Sequence, residues 1–141
     1  MCILQKKAQN MRPHLKFLAG DYCSNDKLAR HGGRSLLCSI CDLKEPETYE
    51  HIISRCPALN EPRQKMIYIL EEFCHKNELL FFNEIIKHDD KNFTQFIIDP
   101  TSLNLSSRVN ICDPIFPELI QICRNMCNSL HCLRMRRING S

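Results

Sequence analysis

The sequence has no apolar run approaching the roughly 20 residues a membrane-spanning helix needs, which excludes a transmembrane segment of that kind. Its opening residues are equally short of what a secretory leader requires. Met1 to Leu4 give way at once to Gln5, Lys6 and Lys7, so no signal peptide is expected and the chain is expected to be intracellular, in the nucleus or the cytoplasm. Charge of one sign is scarce. The formal net charge is +3 and the pI near 8.3, an excess that permits contact with nucleic acid without demanding it. Internal repeats, low-complexity tracts and alternating strand patterns of more than a few residues are missing as well, leaving a mainly α reading.

What is present is the composition of a soluble globular protein, with 43% hydrophobic and 25% charged residues in 141. A chain of this size buries roughly 68% of the surface it exposes when unfolded, enough for one modest core. Ten cysteines stand out. Without a leader they are expected to be reduced thiols, and a patterned subset of them points to metal ligation before disulfides.

Helical spacing organises most of the rest. Ala8, Met11, Leu15 and Leu18 predict a helix over Gln5 to Ala19, shortened or kinked by Pro13 and ended by Gly20. Ser24 and Asn25 can cap a short helix over Asp26 to His31, closed by Gly32 and Gly33. Beyond the cysteine cluster, Asn60 and Pro62 start a helix whose stripe of Met66, Ile67, Leu70 and Phe73 runs to about Cys74. Leu79, Phe82, Ile85 and Ile86 form a further apolar set, and Phe93, Phe96 and Ile97 another, which Pro100 stops; residues 99–113 read as loop. Asp113, Pro114 and Pro117 then start a long closing helix, with Leu119, Cys123, Met126, Leu130 and Leu133 on one face, running to about Ile138. The expected organisation is an N-terminal helical segment (1–35), a metal-binding module (36–60) and a helical C-terminal region (61–141), all in one unit.

The chemistry lies in the middle segment. Cys38-Ser39-Ile40-Cys41 sets two thiols two residues apart, a spacing that lets both sulfurs face one ion across a tight turn, and a small hairpin over Leu36 to Leu43 would suit it. His51 and Cys56 complete C-x2-C-x9-H-x4-C, the ligand set that tetrahedral Zn²⁺ prefers. With four protein ligands no position stays open for water or substrate, so one structural zinc is expected and no catalysis at it. Such a site carries a formal charge of −1, which Arg34, Lys44 and Arg55 can offset, while Thr48 can cap the turn bearing His51. Cys123, Cys127 and His131 recur at intervals of four on the last helix, a second metal-like set, but they fall on its apolar stripe, where cysteine acts as a small hydrophobe. Arg134, Arg136 and Arg137 can contact phosphates or complement the dipole of the helix they end.

Leu18-Ala19-Gly20-Asp21-Tyr22, followed by the Cys38/Cys41/His51/Cys56 cluster with Glu50 before the histidine and Pro57-Ala58-Leu59 after the last cysteine, resembles the C-terminal zinc-binding region of non-LTR retrotransposon reverse transcriptases. Arg63 matches an arginine near the start of the helix that follows the motif in that family. The resemblance covers residues 10–70, and Ile97 to Leu105 with the closing helix look like the tail of some members. It implies that Cys38, Cys41, His51 and Cys56 bind zinc and that Arg34, Lys44, Arg55, Arg63, Arg134, Arg136 and Arg137 help hold RNA or DNA. Polymerase aspartates, a complete ribonuclease H carboxylate set and an endonuclease core are not found in these residues, so the resemblance implies a non-catalytic accessory part, with catalytic domains elsewhere in a longer polyprotein. The competing expectation is a zinc-stabilised protein-interaction module that does not bind nucleic acid.

Overall fold

A computed structural model describes residues 13–30, 35–84, 86–101 and 114–140. Pro13 stands at the head of α1 (Pro13–Ala19), where its missing N–H breaks no helical bond. Gly20 leaves this helix at φ 73°, a left-handed conformation that costs glycine nothing, and its N–H bonds Phe17 O at 3.1 Å. Helix α2 (Asn25–Arg30) starts on a side-chain cap: the Lys27 amide donates to Ser24 Oγ at 3.3 Å.

The chain then turns back on itself. Leu37 and Pro46 form a single antiparallel bridge, with Cys38 N donating to Glu45 O and Glu47 N to Leu36 O, both at 2.9 Å. A wide helical turn over His51–Arg55 and a 3₁₀ turn over Pro57–Leu59 lead into α3 (Asn60–Lys76). Short α4 (Leu80–Glu84) and the turn Ile86–His88 precede α5 (Asp90–Ile98), whose Asp89 carboxylate accepts from the Asn92 amide at 2.8 Å as an N-cap. Helix α6 (Ile115–Ile138), 24 residues, is about 36 Å long at 1.5 Å per residue, and that reach lets it pack on α3, α1 and α5 together.

One apolar cluster holds these pieces. Phe17 and Tyr22 stack with ring centres 3.9 Å apart beside α6, while Phe82 and Phe96 meet at 5.2 Å under α5. Ile52, Ile53 and Leu59 from the cysteine-bearing turns share the cluster with Leu70, Ile97, Leu119, Met126 and Leu130. Each such side chain contributes about 1.5–3 kcal/mol by leaving water. The segment that carries Cys38, Cys41, His51 and Cys56 is therefore built into the core. The architecture is mainly helical, with a long C-terminal helix and the Cys/His cluster set among short helices. Among the described residues, no helix is long and apolar enough to cross a membrane.

Several expectations shift in detail. In α1 the buried residues are His14 and Phe17, whereas Leu15 and Leu18 are 37% and 49% exposed, because stacking on Tyr22 turns the Phe17 side of the helix inward. Helix α3 runs two residues past Cys74, to Lys76. The hairpin pairs Leu37 with Pro46, further along than Leu36 to Leu43. The expected helix over residues 5–12, the Gly32-Gly33 stop, Ile85 and most of the 99–113 loop lie outside the described residues.

Candidate metal centre

A residue five positions along an α-helix sits about 140° around the axis from its start, so H-x4-C would point its two side chains apart in an ordinary helix. The turn over His51–Arg55 solves this by winding wider. Cys56 N donates to His51 O at 2.7 Å, an i to i+5 bond, and the extra residue in the turn returns Cys56 to the side of His51. The Thr48 hydroxyl accepts from the His51 amide at 3.1 Å, and Ser54 Oγ meets Thr94 Oγ1 at 2.6 Å, fastening the turn to α5.

Against this turn the hairpin brings its two cysteines. One ligand atom from each of Cys38, Cys41, His51 and Cys56 lies within 4.8 Å of the others. Cys38 Sγ is 3.9 Å from Cys56 Sγ, and Cys41 Sγ is 3.4 Å from His51 Nε2. Cys38, His51 and Cys56 are buried and Cys41 partly so. The group could hold one metal ion. Burial pushes the Cys38 thiol up to about 12 and also raises Cys56, so without an ion both sulfurs stay protonated.

The surroundings orient the ligands. Glu45 Oε2 accepts from Nδ1 of His51 at 3.1 Å, which leaves Nε2 facing the cysteines, and Glu45 Oε1 is bound by Arg55 at 2.5 Å. Glu45 has no counterpart in the expected site; its position opposite Cys38 in the hairpin, which the structure supplies, is the only signal. The Tyr49 hydroxyl donates to Tyr22 O at 2.9 Å.

Two arginines expected at a nucleic-acid surface are instead interior. Arg63, 4% exposed, donates Nε to Ile53 O (2.8 Å) and Nη2 to Ile52 O (3.1 Å) in the wide turn, and Nη1 to Cys56 O (2.9 Å), which also accepts from the Leu59 amide at 3.1 Å. Arg134, also 4% exposed, pairs with buried Glu47 at 2.6 Å. Burial opposes its charge, yet the hydrogen bonds and charge of Glu47 raise its pKa above the ordinary value. Neither guanidinium is presented to a phosphate. Arg55 is partly committed to Glu45 and lies 3.8 Å from Asp90, while Lys44, Arg136 and Arg137 are exposed. Arg34 lies outside the described residues.

The second cysteine set does not converge on an ion. Cys123 and Cys127 are fully buried in the apolar cluster, and His131 Nδ1 meets the Tyr22 hydroxyl at 2.9 Å. Burial lowers the His131 pKa and raises that of Tyr22 to about 12, so the bond joins a neutral imidazole and a neutral phenol. Among the described residues, Cys38, Cys41, His51 and Cys56 are the one group placed to hold a metal.

Compared with protein-family models, curated proteins and solved structures, the chain matches none. The functional reading therefore rests on its own residues.

Proposed function

We propose that Cys38, Cys41, His51 and Cys56 hold one structural Zn²⁺, and that the chain is a non-catalytic accessory module, like the reverse-transcriptase region it resembles, that helps bind RNA or DNA. The observation that carries the metal reading is the convergence of three sulfurs and one imidazole nitrogen within 4.8 Å, with a carboxylate on the far nitrogen of the imidazole. That donor set is one that tetrahedral Zn²⁺ prefers, which supports zinc as the ion. A tetrahedron with metal–sulfur bonds of about 2.3 Å has sulfur–sulfur edges of about 3.8 Å. The Cys38–Cys56 separation of 3.9 Å fits such an edge. Four protein ligands fill the ion, so it organises the fold and does not turn over substrate.

The side chains offered to nucleic acid are Lys44 and Arg137, with Arg55 and Arg136 in part; Arg63 and Arg134 serve the interior. The test is titration of the zinc-loaded chain with single-stranded RNA and duplex DNA at two salt concentrations. Binding that weakens as salt rises, and weakens again in a Lys44→Ala/Arg137→Ala variant, is expected. No binding at low salt would overturn the nucleic-acid part. That outcome would favour a protein-interaction module, a reading supported by Leu36, Leu37 and Leu43, which stand 43%, 39% and 50% exposed around the hairpin.

A further inference from the structure

Glu47, fully buried, joins three parts of the chain, the hairpin, the start of α2 and α6. Its Oε2 lies 3.6 Å from Cys38 Sγ and 3.2 Å from Arg134 Nε, and its Oε1 lies 2.6 Å from Arg134 Nη2 and accepts from the Asn25 amide at 2.8 Å. Its backbone bonds Leu36 O in the hairpin and, at 3.3 Å, the Asp26 amide at the start of α2. Arg134 comes from the last turns of α6, 87 residues further along the chain. Its Nη2 also donates to Cys23 O at 3.3 Å, and its Cζ stands 5.5 Å from the centre of the Tyr22 ring.

The geometry points to Glu47 and Arg134 as a positioning pair of the metal centre, linking ion binding at Cys38 to docking of the C-terminal helix on the hairpin. This rests on the metal reading above. A cysteine sulfur that takes up a metal ion gives its proton to solvent and becomes negative. A carboxylate 3.6 Å away repels that charge, and burial leaves little solvent to screen the repulsion. The Arg134 guanidinium, forked over both Glu47 oxygens, cancels it, so sulfur, carboxylate and guanidinium form an array that is balanced only while α6 is docked. Linkage is reciprocal: if docking of Arg134 strengthens metal binding, the metal strengthens docking by the same factor.

The experiment measures affinity for Zn²⁺ by competition with a chromophoric chelator, and for Co²⁺ by its thiolate absorption, using the full chain. Arg134→Met is expected to bind either ion about 10–100-fold more weakly. Glu47→Gln/Arg134→Met, which removes both charges and keeps an oxygen for the Asn25 amide, is expected to return to within about 3-fold of the wild type, a non-additivity that reports direct coupling. A merely structural pair also recovers in the double variant, by losing its uncompensated charge, so amide exchange separates the two readings. In the wild type, Zn²⁺ is expected to slow amide exchange at residues 130–138 more than at 116–126 of the same helix, and this arm stands even where Arg134→Met fails to fold. Wild-type affinity in Arg134→Met, no recovery in the double variant, or equal slowing at both ends of α6 would overturn the inference. A wild-type chain that takes up neither ion would instead remove the metal reading on which it rests.

Discussion

Replacing Arg63 by methionine is expected to loosen the turn that carries His51 and Cys56. The guanidinium, 4% exposed, donates to three carbonyls at 2.8, 2.9 and 3.1 Å, those of Ile53, Cys56 and Ile52. Hydrogen bonds from a charged donor contribute about 1.5–3 kcal/mol each, but three bonds from one group do not add in full, because neighbours relax when it is removed. Methionine recovers the packing of the stem while removing the charged donor from the Ile52 and Ile53 carbonyls and leaving Cys56 O with the Leu59 amide alone. A loss of about 3–5 kcal/mol follows, the range seen when one partner of a buried charged arrangement is deleted. For a chain of this size that corresponds to a fall in Tm of about 9–15 °C. Lysine should recover less than half of the loss, since a single ammonium on a flexible stem cannot match a planar fork that spans three acceptors. The assay is thermal unfolding of the zinc-loaded chain followed by circular dichroism, with urea unfolding as a second measure. A Tm within about 3 °C of the wild type in Arg63→Met, or full recovery in Arg63→Lys, would refute the assignment of Arg63 as the clamp of this turn.

Glu45→Gln is expected to weaken Zn²⁺ binding by about 10–100-fold in chelator competition, because it removes the carboxylate that fixes His51 with Nε2 toward the cysteines; unchanged affinity would contradict that role. Since burial raises the Cys38 and Cys56 thiols, protons compete with the ion, so apparent affinity rises with pH and each Zn²⁺ bound near neutral pH should release at least two protons. Calorimetry in buffers of different ionisation enthalpy measures the number, and release of fewer than one would contradict thiolate ligation. Asp89→Ala removes the N-cap of α5 and should cost about 1 kcal/mol in urea unfolding, with no change in metal content.

Periodicity made most of the fold legible. The stripe through Leu119, Cys123, Met126 and Leu130 lies inward on α6, and Phe93, Phe96 and Ile97 do so on α5. Spacing likewise picked out the four residues that the fold gathers, since two of them lie in one tight turn and the other two in one helical turn. Long-range partners were not legible. Arg63 and Arg134 read as surface cations because a charged residue near a helix end is usually solvated, and only the tertiary fold sets carbonyls before one and Glu47 before the other. The wide winding at His51 was hidden for a similar reason: it shows as one extra residue between ligands, which in sequence is indistinguishable from an ordinary spacer. In α1 the apolar pattern favoured Leu15 and Leu18, but stacking of Phe17 on Tyr22, across a turn, decides which side is buried.

The central claim is tested most directly by elemental analysis of the purified chain after dialysis, alongside Cys41→Ser. One Zn²⁺ per wild-type chain is expected, with loss of the metal and unfolding of residues 36–60 in the variant, since a structural zinc contributes folding energy outright. A wild-type chain that folds without any bound metal, or a variant with the same metal content and Tm as the wild type, would contradict it.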